Sequence, residues 1–203
     1  NSSAWRKDPE IPLIVPEVNA HRIRFSDKLI SNPNCSTIQM VVALAPFHER
    51  FGIKRIVVST YQSVSGSGLK GIRQMTNERE GIESERIYPH PIDKNVIPQG
   101  GAFLDNGYTA EEMKLIDETR RILGDETIQV SPTVVRVPVS AGHSESVNVT
   151  FRNPFTIEEV YRILRDAPGV IVMDDPAASV YPTPLLAEGK DEVFVGRIRT
   201  DPS

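Results

Sequence analysis

The sequence predicts an α+β fold in which a mixed or antiparallel sheet is covered by helices on one face. Two observations support this prediction. Apolar segments typical of strands are joined by turns. Between them lie segments with helical spacing, and two of these begin with a Thr that is followed three residues later by a Glu, the pattern of a capping box. At 203 residues the chain can bury a sizeable core.

Charge and composition exclude several classes of partner. The net charge of -4 gives no positive field for nucleic acid or an anionic membrane. No apolar run reaches the length of a transmembrane helix, and no signal peptide opens the sequence. One cysteine excludes an internal disulfide framework and fits a reducing compartment, so we predict a cytoplasmic protein. We predict no metal site.

The first 20 residues form a segment of their own. Three prolines surround the apolar residues 13–15, which is typical of an extended arm with one short strand. We expect residues 1–20 to be an arm that enters from another domain, and residues 21–203 to form the main domain. A strand is expected near Arg22–Phe25.

The only cysteine lies where a helix is expected to begin. Pro33 disfavours a helical conformation before it, and apolar spacing from Ile38 onward predicts a helix from about Cys35 to Phe51, closed by Gly52. A thiol at a helix N-terminus lies near unpaired N–H groups and the positive end of the macrodipole, which favour the thiolate. Lone cysteines are often buried apolar residues, but the polar neighbours of Cys35 favour a nucleophile.

A glycine-rich string follows the next predicted strand, residues 54–61. Residues 66–71 fit the pattern G-x-G-x-x-G, a dinucleotide-binding fingerprint when a second strand ends in an acidic residue. No such strand follows. We therefore interpret the string as a flexible loop near a ligand, ahead of a helix.

The remaining elements follow in order. Residues 88–108 are rich in Pro and Gly and predict loop. The two capping boxes, Thr109 with Glu112 and Thr156 with Glu159, predict helices to about Leu123 and Ala167. Strands are predicted at residues 128–139, 147–151, 170–173 and 193–198.

A turn near residue 143 offers a second reactive group. His143 lies at a strand end, where functional side chains are commonly displayed. Arg136 precedes it among valines, where an unpaired cation is costly, so we expect a carboxylate or an anionic ligand beside it. His21 and His90 are better explained as surface residues, and His48 is at the far end of the helix from Cys35.

Four separated motifs resemble the aspartate-semialdehyde dehydrogenase family. They are Asn34-Cys35-Ser36-Thr37, Ser59-Thr60-Tyr61-Gln62, Glu111-Glu112-Met113-Lys114, and the segment from Arg136 through His143. Their order and spacing are similar to those of that family from Asn1 to about Arg199. The resemblance implies the catalytic-domain fold shared with glyceraldehyde-phosphate dehydrogenase. It also implies that a cofactor-binding domain of such enzymes is not part of this sequence.

The resemblance assigns catalytic roles to three residues. Cys35 attacks the substrate carbonyl, His143 acts as general acid and base, and Gln62 holds the intermediate near the thiol. The implied reaction reduces β-aspartyl phosphate to aspartate β-semialdehyde through a cysteine thioester, with NADP as cofactor and loss of phosphate.

The resemblance also assigns binding roles. Arg136 contacts the α-carboxylate of the substrate and Glu111 its amino group, which suits a guanidinium and a carboxylate. Lys114 and Asn34 contact phosphate. Ser65 and Gly66 approach the cofactor near the nicotinamide.

Partners and alternative functions complete the sequence-based hypothesis. The resemblance implies a homodimer formed through the sheet of this domain, with a tetramer as the alternative. The same residues also suit a reductase of another acyl phosphate, such as N-acetyl-glutamyl phosphate, although Glu111 argues against an acetylated amine. A cysteine hydrolase that uses Cys35 and His143, and a non-catalytic dimerisation module, are two further alternatives. We expect this chain alone to be inactive.

Overall fold

A computed structural model describes residues 2–202. Its helices and strands, in chain order, are α1 (Pro16–Asn19), α2 (Cys35–Phe51), β1 (Ile53–Gln62), α3 (Gly68–Glu80), α4 (Ala110–Leu123), β2 (Gln129–Arg136), β3 (Ser144–Phe151), α5 (Ile157–Asp166), β4 (Val170–Val172), α6 (Pro184–Ala187) and β5 (Val193–Val195). Short 3-10 helices occupy Ser2–Ala4, Ala20–Arg22, Val64–Ser67 and Pro176–Ala178. The predicted α+β class is confirmed.

The main sheet has three strands in the order β2-β1-β3. β1 runs parallel to β2 and antiparallel to β3, so the sheet is mixed, as predicted. Although β2 and β3 are consecutive in sequence, β1 lies between them. Because β1 and β2 are parallel, their carboxyl ends meet at one edge, where Gln62 is paired with Arg136.

Helices cover one face of this sheet. The core contains residues from α2, α4 and α5 packed on inward-facing strand residues: Met40, Leu44, Phe47, Phe51, Ile53, Ile56, Val58, Leu115, Ile116, Ile128, Val130, Val134, Val160 and Leu164. The opposite face remains open, with Arg55, Val57 and Tyr61 of β1 exposed. This one-sided covering confirms the predicted layer arrangement.

The N-terminal segment differs from the predicted arm with a short strand. Leu13 makes only an isolated bridge with Ser31, and a helix begins at Pro16. Asn19 explains the bend, since its buried side chain accepts from the Val15 N–H at 2.8 Å and donates to the Leu13 carbonyl at 2.9 Å. The expected strand at Arg22–Phe25 is also wrong, because residues 20–22 form a 3-10 helix.

Two further elements depart from the prediction. The glycine string does not form a flexible loop, since α3 begins at Gly68 and includes Gly71. Gly71 is needed there because a Cβ would lie 2.5 Å from the Val64 carbonyl oxygen. At the C-terminal end, β4 and β5 pair in parallel as a separate two-stranded sheet. Within residues 2–202, none of the helices has the length and apolarity needed to cross a membrane.

Candidate active site

The N-terminus of α2 presents Cys35 on a well-capped helix. Asn34 is the N-cap, and its Oδ1 accepts from the Ser36 N–H at 3.0 Å. The N–H of Asn34 itself donates to Oε2 of the buried Glu118 at 2.6 Å. Cys35 is exposed, and its Sγ lies 4.0 Å from Asn34 Oδ1. The helix start therefore places Cys35 at the surface of the domain, with its sulfur partly enclosed by neighbouring residues.

The ionisation of Cys35 differs from the sequence-based expectation of a favoured thiolate. Desolvation by surrounding protein raises the pKa of the thiol, and the negative charge of Glu111 raises it further. The hydrogen bond from the Ser36 N–H and the charge of Arg136 lower the pKa but do not outweigh these effects. The helix terminus lowers the pKa of the thiol, as predicted, but desolvation and the charge of Glu111 raise it by more.

The carboxyl end of β1 connects the sheet to α2. Gln62 is fully buried, and its Nε2 donates to Ser36 Oγ at 2.8 Å. Its Oε1 is buried and has no hydrogen-bond partner among the residues that the structure describes. A buried acceptor left unpaired is costly, so this oxygen is available to a donor from a ligand.

Arg136 and Glu111 form the charged wall of the site. Arg136 Nη2 donates to Glu111 Oε1 at 2.7 Å, and the Arg136 residue is only 5% exposed. Within the described part of the chain, Arg136 Nη1 and Glu111 Oε2 are buried without a partner. The pair thus has one unused donor and one unused acceptor.

The capping box of α4 fixes the position of Glu111. The Thr109 N–H donates to Glu112 Oε2 at 2.7 Å, and the other oxygen of Glu112 accepts from the Val134 N–H at 2.9 Å. Glu112 therefore joins the first turn of α4 to β2, two residues before Arg136. This hydrogen bond between Glu112 and Val134 brings the carboxylate of the neighbouring Glu111 to the guanidinium of Arg136.

His143 lies against the loop that follows β1. Its Nδ1 accepts from the Ser63 N–H at 3.1 Å. A Cβ added to Gly66 would lie 3.2 Å from His143 Nε2 and 2.9 Å from Arg136 Nη1, so the glycine permits this close approach. Desolvation, followed by the positive charge of Arg136, lowers the pKa of His143. The ring is therefore neutral at pH 7.

The predicted site residues fall into two neighbouring groups. Glu111 and Arg136 act electrostatically on both Cys35 and His143, so both charges lie within electrostatic range of the thiol and of the imidazole. Lys114 instead acts on Glu118, the carboxylate bonded to Asn34. Ser65 lies behind His143, with its Oγ 2.9 Å from Ser63 Oγ.

Two residues in the site were missed from the sequence. Glu118 is buried and its pKa is raised by desolvation, while Arg6 lies beside it at 3.6 Å. Its position four residues after Lys114 on one helix face was the available signal. Ser63, next to the predicted Gln62, contacts His143 but carries no pattern of its own.

The remaining histidines lie outside this group. His48 is in the last turn of α2, where its Nδ1 accepts from the Ile53 N–H at 3.2 Å. His21 and His90 lie on exposed connecting segments, as expected. Among residues 2–202, no group of three or more His, Cys, Asp or Glu side chains is arranged to hold a metal ion.

Cys35 offers a nucleophile, His143 an imidazole, and the Arg136–Glu111 pair one donor and one acceptor without partners among the described residues. These are the kinds of group that covalent chemistry on a small charged molecule uses. Residues 44–203 match the family described as semialdehyde dehydrogenase, dimerisation domain. The chain belongs to this family.

Several known proteins with similar sequences and structures are aspartate-semialdehyde dehydrogenases. The chain is 53% identical over 209 residues to an aspartate-semialdehyde dehydrogenase of Aquifex aeolicus, covering 99% of this chain and 62% of that protein. A crystal structure of aspartate semialdehyde dehydrogenase II complexed with ASA, from Vibrio cholerae, has a TM-score of 0.88 and 44% identity over 98% of this chain and 61% of that one. The Candida albicans enzyme with NADP has a TM-score of 0.70 and 26% identity, covering 98% and 60%. The chain thus spans about three fifths of the length of these relatives.

Proposed function

We propose that this chain is the catalytic and subunit-contact domain of an aspartate-semialdehyde dehydrogenase, which reduces β-aspartyl phosphate to aspartate β-semialdehyde. One observation carries the proposal. The Arg136–Glu111 pair leaves a buried donor, Nη1, and a buried acceptor, Oε2, without partners among the described residues. An α-amino acid has a carboxylate and an ammonium on one carbon, and these groups complement that donor and acceptor.

The position of the amino acid defines the reaction. With the α-carboxylate at Arg136, the acyl phosphate extends toward Cys35, which shares Arg136 and Glu111 as electrostatic neighbours. Cys35 first loses its proton to solvent, which reaches this exposed residue. The thiolate then forms a carbon–sulfur bond as the carbon–oxygen bond to phosphate breaks, which gives a thioester. Lys114 and Asn34 bind the phosphate group, and Gln62 Oε1 or Nε2 orients the acyl group.

Reduction of the thioester requires a hydride that the chain itself does not supply. Bound NADP(H) would supply it, and Ser65 and Gly66 would hold the nicotinamide beside His143, whose ring packs against Gly66. Nε2 of His143 would donate a hydrogen bond to the oxygen of the reduced carbon and stabilise its negative charge. When the carbon–sulfur bond then breaks, this oxygen becomes the aldehyde carbonyl and the electron pair returns to Cys35 as the thiolate. A reactive free thiol requires a reducing compartment, which is why we place the enzyme in the cytoplasm.

The open face of the sheet supports assembly into a homodimer. Val57 is 39% exposed and Tyr61 is 44% exposed on a face that no helix of residues 2–202 covers. Sedimentation of the chain at micromolar concentration tests this, and we expect a dimer. Val57→Lys should weaken it, while Ile82→Lys, on an exposed site outside the sheet, should not. A monomer throughout that range would contradict the proposal.

Calorimetry with the amino-acid half of the substrate tests the function itself. Aspartate β-semialdehyde or aspartate should bind the chain, and Glu111→Gln should weaken binding more for these amino acids than for succinate semialdehyde, which lacks the ammonium. Equal losses for both ligands would remove Glu111 from amine recognition. NADPH should bind this chain weakly, and tight binding or turnover would contradict our view that the cofactor needs the rest of the relatives' length.

A further inference from the structure

The two ring nitrogens of His143 face different parts of the protein. Nδ1 lies 3.1 Å from the Ser63 N–H and 3.0 Å from Ser63 Oγ. Nε2 lies on the side of Gly66, 3.2 Å from the position of an added Cβ. The same Cβ would approach Arg136 Nη1 at 2.9 Å, so Nε2 faces the charged wall of the site. Nδ1 therefore contacts Ser63, whereas Nε2 faces Gly66 and Arg136.

The backbone of Ser63 determines which nitrogen carries the proton. A backbone N–H only donates, so Nδ1 must present its lone pair to it. The neutral imidazole then carries its single proton on Nε2. The side of the ring that faces Gly66 and Arg136 is accordingly a hydrogen-bond donor.

The hydroxyl of Ser63 can accept a hydrogen bond from Nδ1 when the His143 ring is positively charged. When the ring gains a proton at Nδ1, the N–H of Ser63 cannot accept it, but Ser63 Oγ at 3.0 Å can. The hydroxyl hydrogen then turns to Ser65 Oγ, which lies 2.9 Å away. Ser63 is fully buried, and among residues 2–202 its hydroxyl contacts His143 and Ser65. Because a buried hydroxyl needs hydrogen-bond partners, its contact with the His143 ring accounts for its position.

We propose that Ser63 is a positioning residue for His143, which keeps Nε2 a hydrogen-bond donor toward the substrate whether the ring is neutral or charged. The proposal rests on the proposed function for the identity of the substrate oxygen that receives this bond. It adds a residue that acts through His143 rather than on the substrate. Hydrogen bonds between Ser65 and Ser63 and between Ser63 and His143 also connect Ser65, which we propose to lie near the nicotinamide, to the imidazole.

The charged surroundings explain why an acceptor at Nδ1 matters. Arg136 from the end of β2 and Glu111 from α4 are the charged groups that act on His143. Burial and Arg136 oppose a positive ring, and the Glu111 carboxylate favours it. The backbone of Gly142 also hydrogen-bonds to His143 and favours the charged ring. Removing Ser63 Oγ leaves that bond and both charges in place but takes away an acceptor for Nδ1–H, so it should lower the population of the charged ring.

Nitrogen NMR of the 203-residue chain, labelled at histidine, tests the proposal without substrate or cofactor. In the wild type we expect the neutral His143 ring to carry its proton on Nε2. Ser63→Ala should lower the His143 pKa by about one unit, the effect of one hydrogen bond to a charged group. Ser63→Thr, which keeps the hydroxyl, should restore the pKa. His48 in the same spectra serves as the internal control and should titrate unchanged.

Each result bears directly on the role of Ser63. A neutral ring protonated on Nδ1, or a folded Ser63→Ala chain with an unchanged His143 pKa, would overturn the proposal. If Ser63→Ala does not fold, Ser63→Cys, close in size but a weaker acceptor, should shift the pKa in the same direction. Because no ligand is involved, failure here leaves the dehydrogenase assignment untouched, and failure of that assignment leaves the tautomer measurement valid.

Discussion

The guanidinium of Arg136 donates to the carboxylate of Glu111 across 2.7 Å, although the two residues are 25 positions apart. The structure pairs each charge with the other before any amino acid is bound. A buried cation in a valine-rich strand is thereby compensated, while Nη1 of Arg136 has no hydrogen-bond partner among residues 2–202. The ion pair is therefore a structural element of β2, and in our proposal it also recognises the zwitterionic substrate.

Arg136→Lys in the full-length enzyme should lower kcat/KM by about 10- to 150-fold. Lysine cannot contact Glu111 and a substrate carboxylate with two parallel donors, and a hydrogen bond to a charged group is worth about 1.5–3 kcal/mol. Steady-state kinetics measure the loss, with Arg73→Lys on the exposed face of α3 as the matched control. Wild-type kinetics in Arg136→Lys would exclude Arg136 from the site.

Gly66→Ala should reduce activity while leaving the fold intact. The new methyl group would meet Arg136 Nη1 at 2.9 Å and His143 at 3.2 Å, so both side chains must move. Gly68→Ala is the control for backbone effects, because its Cβ meets nothing within 4 Å although its φ is +70°. We expect kcat to fall in Gly66→Ala and the melting temperature to fall in Gly68→Ala. The reverse pattern would contradict this placement of Gly66.

Alkylation of Cys35 should titrate above the value of a free cysteine. Desolvation and Glu111 raise the thiol pKa, so the rate of iodoacetamide reaction should have its midpoint above about 8.5. Glu111→Gln removes a negative charge and should lower that midpoint, whereas the exposed Glu83→Gln should leave it unchanged. A midpoint below that of free cysteine in the wild type would show that the helix terminus outweighs burial.

Glu145 should make the chain less stable as pH rises. Burial raises the pKa of this carboxyl to about 8, while Gln39 Nε2 donates to it at 2.7 Å. An unfolded glutamate has a pKa of about 4.3, so the folded chain binds more protons between these values. The free energy of unfolding contributed by this group should therefore fall from about pH 4.3 to about pH 8.

Denaturant unfolding across that pH range measures this effect. Glu145→Gln cannot ionise and should flatten the pH dependence, and Glu83→Gln should retain it. Identical pH dependence in wild type and Glu145→Gln would show that the carboxyl ionises normally in the folded chain.

Local signals in the sequence predicted the helices that build the site. The Thr109 box, the Gly52 terminus of α2 and the turn before Cys35 depend on neighbouring residues, and the structure has each of them. The strand expected at Arg22–Phe25 failed because residues 20–22 form a 3-10 helix, and the apolar Ile23 and Phe25 remain exposed instead of packing on a sheet.

The spacing of apolar and capping residues along the sequence could not predict contacts between residues far apart in the chain. Placing β1 between β2 and β3 depends on packing of whole strands, and nothing near Arg136 in the sequence identifies Glu111 as its partner. The thiol pKa was misjudged for the same reason, since its direction comes from burial and from Glu111 rather than from the helix that carries it.

The attachment of α4 to β2 through Glu112 has a consequence for how such enzymes diversify. The reactive thiol belongs to α2, whereas the carboxylate proposed to recognise the amine belongs to the first turn of α4. Under our proposal, a substitution at Glu111 would therefore change recognition of the substituent on the substrate's α-carbon from a helix that carries neither Cys35 nor His143.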